Sequence, residues 1–448
     1  MIEDGGVVID GEEIVAVGKR SDLQRDYPEA SFKDAAGKVI MPGMINTHMH
    51  LYSTFARGMD LKTEQAPKNF TEILEKLWWR LDKALNEDDI YYSALYAILD
   101  GIKKGITTIF DHHASFGQID GSLDIIAAAV EQAGIRANLA FEVSDRHGPE
   151  KAQAALRENE RFIKKLQHQK NELKNLQKKA GKKQKKKNGE GKMTYLGGTI
   201  GLHASFTLED ETLERAAALA DELGVPFHIH TAEGRADLED SKKRGYRGVV
   251  DRLDQFNIWR PGTLAIHGVY LQEEELLILK ERSSCLVHNP ESNMGNAVGA
   301  APVKNALDRG VEVGLGTDGY TADIFESIKV ANLLQKHKLK DPRAGWEEVY
   351  RMAFINNREI AGRFFQQELG VLKPGAAADL IIINYSPPTP VNAKNAYSHL
   401  LFGVEGSMVE TTVVGGRILM ENREVKNFDY ERICSKVREQ ARDFWRRF

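Results

Sequence analysis

Cysteine is nearly absent: Cys285 and Cys434 are the only two in 448 residues. Two distant cysteines build no disulfide framework and fit a reducing, cytoplasmic setting. Long apolar runs are missing as well. No stretch approaches the roughly 18 consecutive apolar residues of a membrane span, so no membrane partner is expected. The opening "MIEDGGVVIDGEEIVAVGK" lacks the apolar core of a secretory signal peptide, and none is expected. There is no excess of positive charge either. The net charge of −4 argues against nucleic acid as a partner of the chain as a whole.

The charge that is present is uneven. Segment 164–192, "KKLQHQKNELKNLQKKAGKKQKKKNGEGK", holds twelve lysines against two glutamates, about +10, which leaves the rest near −14. No aromatic residue interleaves those lysines, so the stacking platform of single-strand binders is missing. The segment reads as a solvated helical insertion with a disordered, Gly-containing tip.

Short apolar runs alternate with amphipathic stretches through most of the chain. Eight runs read as strands: "GMINTHMH", "GITTIFDHH", "IRANLAFEV", "TIGLHAS", "VPFHIHTAE", "TLAIHG", "SCLVHN" and "VEVGLGTDG". Helical patterns lie between them. In "TLEDETLERAAALADELG" the spacing predicts a capping box from Thr207 to Asp210 and a stop at Gly224. Strand then helix, eight times, with near-continuous apolar strands, predicts a (β/α)8 barrel of the TIM type spanning 41–370. Residues 1–40 read as a β-meander, and 371–448 as short strands with a Gly415-Gly416 hairpin plus an amphipathic terminal helix. The two ends are expected to form one small β-sandwich.

Barrel enzymes work at the C-terminal ends of their strands. Here the runs end at His48 and His50, His112 and His113, Glu142, His203, His230 and Glu233, His267, His288 and Asp318. Eight of the thirteen histidines are among them. A lone histidine at such a place is more often a hydrogen-bonded core residue, the reading kept for His113 and Glu142. His48 and His50 differ, because a spacing of two on a strand puts both imidazoles on one face. His228 and His230 also share a face. Pattern does not choose between them, and His230 is favoured as nearer the strand end. Asp318, between two glycines after an apolar strand, can lean over the barrel mouth. Three imidazoles and one carboxylate suit Zn²⁺, with Fe²⁺ as the alternative, and leave a position for water. A bound cation lowers the pKa of that water toward neutrality.

The elements "PGMINTHMH", "HIHTAE", "IHGVYL", "VHNPESNMGN" and "GTDG", in this order, resemble the amidohydrolase superfamily over nearly the whole chain. Within it they are similar to the chlorohydrolase and aminohydrolase branch, which holds guanine deaminase and adenosine-type deaminases. The Lys-rich segment looks like an insertion, and the usual first strand looks lost. The resemblance implies one divalent ion on His48, His50, His230 and Asp318. It makes Glu233 the acid that protonates a substrate ring nitrogen and His267 the group that steadies the developing oxyanion. Asp318 moves the proton of the attacking water. It further implies His203, Glu233, His288 and Arg57 as substrate contacts, although a structural salt bridge explains Arg57 equally well. Trp78 and Trp79 could stack on a planar ring or simply pack.

The expected reaction is hydrolytic deamination of an amino-heterocycle such as a purine. Dechlorination of a chlorinated ring uses the same groups. A two-metal cyclic-amide hydrolase of the hydantoinase type needs a bridging lysine, and the mid-barrel strand ends carry none. The expected partners are a small heterocycle and, by analogy, a second copy in a homodimer.

Overall fold

The computed structural model describes residues 1–184 and 195–448, with side chains outside 176–194. The chain begins with a hairpin of β1 (Gly5–Asp10) and β2 (Glu13–Lys19). The expected meander stops there: β3 (Val39–Pro42) does not join β2 but pairs with a strand 340 residues later in the chain. Alternation describes each strand well, but it carries no information about which strand becomes its neighbour.

The barrel follows. Its strands are β4 (Met44–Met49), β5 (Ile106–His113), β6 (Arg136–Val143), the pair β7 (Leu196–Gly198) and β8 (Ile200–Ala204), β9 (Phe227–Thr231), β10 (Leu264–His267), β11 (Cys285–His288) and β12 (Glu312–Leu315). All run parallel in chain order, and both β7 and β8 pair with β6 as one interrupted fourth strand. The barrel closes where the amides of Thr317 and Asp318 donate to the His48 carbonyl at 3.0 and 3.1 Å. Gly316 makes this approach possible, because a Cβ there would lie 2.8 Å from that same carbonyl oxygen and 2.4 Å from Asn289 Oδ1. Closure therefore locks the tip of the first strand to the segment that carries Asp318.

The end strands β13 (Leu380–Ile383), β14 (Val409–Val414), β15 (Arg417–Glu421) and β16 (Glu424–Val425) form an antiparallel sheet with β3 at its edge. Gly415 and Gly416, both at positive φ, make the β14–β15 turn, as their pairing in the sequence predicts. Val7 and Ile9 of the hairpin pack on Leu380, Ile382 and Val413, giving the expected sandwich from both chain ends. Buried Arg136 at the start of β6 joins barrel to sandwich through a two-pronged ion pair with Asp379, at 2.8 and 3.2 Å.

Helix Asp210–Leu223 ends at left-handed Gly224 as predicted, but its start differs. Thr207 does not cap it. The hydroxyl of Thr207 instead donates to the Ala204 carbonyl and meets His203 Nδ1 at 2.6 Å, while Asp145 takes the amide of Glu209. A helix from Pro149 to Gln184 buries Ala152, Ala155, Leu156, Phe162 and Ile163, then carries the first lysines of the basic segment into solvent. The expected Gly-containing tip lies outside the described residues. The C-terminal helix, Tyr430–Arg447, packs Phe444 beside Phe55 and donates from Trp445 Nε1 to the Phe55 carbonyl at 2.7 Å. Among the described residues no helix is long and apolar enough to cross a membrane.

Candidate metal centre and active site

His48 and His50 leave β4 on one face, as alternation requires, and both point to the barrel mouth. His230 reaches the same point from β9, and Asp318 from the turn after β12. Asp318 Oδ1 lies 3.0 Å from His50 Nε2 and 3.4 Å from His48 Nε2. His50 Nε2 and His230 Nε2 are 3.2 Å apart. His48, His50 and Asp318 each offer a ligand atom within 4.8 Å of the others, as do His48, His230 and His267. Asp318 holds φ at 57° and His267 at 75°, a region that costs a non-glycine residue energy and often marks a functional turn.

The donor set fits a cation. His50 Nδ1 meets the His112 carbonyl at 2.5 Å and His230 Nδ1 meets the His203 carbonyl at 3.1 Å. A carbonyl only accepts, so each Nδ1 carries the hydrogen and each Nε2 carries a lone pair. Two buried lone pairs then face each other at 3.2 Å, and His48 Nε2 is buried without a hydrogen-bond partner. A positive ion between these atoms removes both costs. Burial lowers His48 to about 3 and takes His230 well below its usual value, so both are neutral, as ligands must be; burial pulls His50 down too, but the adjoining Asp318 carboxylate outweighs it and raises the group, a pull that a bound cation would replace.

Glu233 and His267 stand beside this point. His267 Nε2 is 3.3 Å from Glu233 Oε2 and 3.7 Å from Asp318 Oδ2, and its Nδ1 is held by Asn293 Oδ1 at 2.8 Å. Burial, reinforced by the charges of Asp318 and Asp237, raises the Glu233 carboxyl well above its usual value. Both residues border a cleft of about 610 Å³ that opens to solvent, walled by Tyr52, Leu74, Trp78 and Trp79 and reached by His203.

Two expected contacts lie elsewhere. Arg57 is exposed, 3.6 Å from Asp100, which is the salt-bridge reading. His288 is fully buried behind the cleft and does not line it. Of the adjacent pair, His112 faces inward and donates from Nε2 toward the Leu202 and His228 carbonyls, while His113 turns away to Ser115. Glu142 does reach the cleft, paired with Arg146 at 2.5 Å, and Arg146 also pairs with Asp82. Sequence reading passed over Arg146, Asp82 and Asn293. A charged residue just past a strand end, as in "EVSDRH", was the signal available for Arg146. Asp82 had none, because its helix shows an ordinary amphipathic pattern.

Comparison with known proteins bears on the family. The amidohydrolase family model matches residues 39–419, and residues 5–30 match a bacterial imidazolonepropionase-like composite domain. A 5'-deoxyadenosine deaminase of Methanosarcina mazei is 34% identical over 99% of this chain and 94% of its own length. A 5-methylthioadenosine/S-adenosylhomocysteine deaminase of Syntrophomonas wolfei is 34% identical over 93% of this chain and 90% of its own. Among solved structures, a zinc-bound adenosine deaminase from Xanthomonas campestris superposes with a TM-score of 0.80 at 23% identity, covering 100% of this chain and 95% of that one. The zinc complex of atrazine chlorohydrolase from Arthrobacter aurescens gives 0.76 at 24% identity, over 98% and 96%. At these identities the two structures establish the shared fold. The family match and the deaminase relatives establish the rest: the chain belongs to the amidohydrolase family and is a hydrolase acting on C–N bonds.

Proposed function

We propose that this chain is a mononuclear, metal-dependent deaminase of an adenine-type amino-heterocycle. One divalent ion, Zn²⁺ on this reading, would be held by His48, His50, His230 and Asp318. The observation that carries this reading is the pair of imidazole lone pairs facing each other at 3.2 Å, with Asp318 Oδ1 within 3.0 Å of one of them. The deaminase relatives favour an amine leaving group over chloride. Among the described residues no lysine lines the cleft, which favours one ion over a lysine-bridged pair.

When bound, the ion supplies Lewis acidity and brings water toward ionisation at neutral pH. The chain's own residues do the rest. Glu233, whose carboxyl burial pushes up, gives a proton to the ring nitrogen and makes the neighbouring amidine carbon a better electrophile. Water adds to that carbon. Asp318 takes the water proton and passes it to the amine, which leaves as ammonia as the C–N bond breaks, and the proton of the new hydroxyl returns to Glu233 as that oxygen becomes the carbonyl. His267, fixed by Asn293, faces the same point and steadies the oxygen as charge builds on it. Trp78 and Trp79 offer flat apolar surface to a heterocycle, and His203 offers Nε2, since Thr207 holds its Nδ1.

The test is an ammonia-release screen over purine, pyrimidine and triazine amines with the zinc-loaded protein. Glu233→Gln keeps shape and polarity but removes the proton, so turnover should fall by about a hundredfold to ten-thousandfold at unchanged metal content. A Gln variant with near-normal turnover removes Glu233 from proton transfer. One that loses its metal makes Glu233 a ligand.

A further inference from the structure

The imidazoles around the proposed metal position are aimed in two different ways. His50 and His230 each turn Nδ1 to a main-chain carbonyl, a partner that no side-chain substitution removes. His48 is the exception. Its Nδ1 lies 2.8 Å from Nε2 of His228. We propose that His228 is a positioning residue of the metal centre, whose Nε2 accepts the Nδ1–H of His48 and so aims the His48 Nε2 lone pair at the ion. The inference rests on the four-ligand reading above and adds to it a side chain that touches neither ion nor substrate.

The placement follows from strand geometry. His228 precedes His230 by two residues on β9, so both point inward, but His228 sits one layer deeper. It is fully buried, and its ring meets that of His48 edge-on, with centroids 5.0 Å apart. Its strand is held in place because the His228 carbonyl accepts from His112 Nε2 at 3.1 Å.

Proton placement makes the contact directional. A neutral imidazole has one ring hydrogen. If His48 Nε2 is to offer a lone pair, that hydrogen belongs on Nδ1, and His228 must present a bare Nε2 with its own hydrogen on Nδ1. The reverse arrangement puts a hydrogen on His48 Nε2, where it blocks coordination. Carbonyls impose the correct tautomer on His50 and His230. For His48 the imidazole of His228 does so once an ion claims the His48 Nε2 lone pair, with the hydrogen of His228 then on its Nδ1, which is buried without a hydrogen-bond partner, and a partner of this kind typically accounts for about a tenfold to hundredfold of metal affinity.

The experiment compares the wild type with His228→Leu, which removes the acceptor, and His228→Gln, whose amide oxygen restores one. Each is stripped with a chelator and its apo-form melting temperature recorded. Zn²⁺ affinity is then read by competition with a chromophoric chelator, and the absorption bands of the Co²⁺ form are compared. Expected are a loss of about tenfold to a hundredfold in His228→Leu, altered Co²⁺ bands, and recovery of most of the affinity in His228→Gln. Should the Leu variant fail to fold, His228→Asn, whose shorter amide stops short of His48, takes its place. Affinity within about twofold of wild type in a variant lacking the acceptor overturns the inference and leaves the four-ligand site standing. So does a Gln variant as weak as the Leu variant. A wild type that binds no ion overturns the four-ligand reading itself, and this inference with it.

Discussion

Replacing Arg136 with Met tests how the barrel and the sandwich are joined. The guanidinium is 1% exposed and reaches both carboxylate oxygens of Asp379, at 2.8 and 3.2 Å, while Gln367 and the Tyr195 ring take its remaining surface. Met fills much of the same volume but leaves Asp379 as a buried charge whose remaining hydrogen bond comes from the Gly415 amide at 2.8 Å. Stranding one member of a buried pair costs about 3–5 kcal/mol. Unfolding entropy runs near 2.1 cal/mol/K per residue, so 448 residues melting as one unit give about 0.9 kcal/mol/K. The melting temperature should therefore fall by roughly 3–6 °C, and further if the sandwich melts alone. Arg136→Met combined with Asp379→Leu removes both charges and should recover more than half of that loss, because an apolar pair pays no desolvation of charge. Far-UV circular dichroism melts of the four proteins in the cycle measure this, with zinc content as a control expected not to change. A single variant within 1 °C of wild type, or a double variant as unstable as the two single losses added together, refutes the reasoning.

The remaining predictions concern the site and its frame. His48→Ala with His50→Ala leaves two ligands, so zinc measured by mass spectrometry should fall from about one per chain to background. Gly316→Ala forces a methyl group toward the His48 carbonyl and Asn289, so it should cost about 1–3 kcal/mol by denaturant titration and also weaken zinc binding. Burial, reinforced by Glu326 and Asp323 against a hydrogen bond from Ser327, raises Glu291 from 4.5 to about 8. The folded state thus holds that proton more tightly than the unfolded chain, and the associated stability is complete below about pH 4.5 and lost as pH rises toward 8. Glu291→Gln carries no such proton, so its melting temperature should gain on that of wild type between pH 5 and 8.5; a constant difference removes the group from the pH profile.

Local pattern determined a good deal of this protein. A period of two placed His48 and His50 on one face, eight strand–helix alternations specified a barrel, and paired glycines marked the β14–β15 turn, because each rests on covalent geometry within a few residues. The same period left His228 and His230 equivalent. Only barrel depth separates them, putting His230 opposite His50 and His228 beneath His48. Thr207 carried a sound helix-start signal, yet Asp145, 64 residues from Glu209, took the amide, and Thr207 turned to His203. Arg146 joins Glu142, four residues away, to Asp82, which is 64 residues away, and β3 finds β13 rather than β2. Which groups meet across such distances is decided by how the strands close and how the two chain ends fold back on them. The sequence alone carries which face a side chain takes; its depth and its distant partner belong to the closed barrel, because burial and hydrogen bonding are settled jointly by segments that have no local relation to one another.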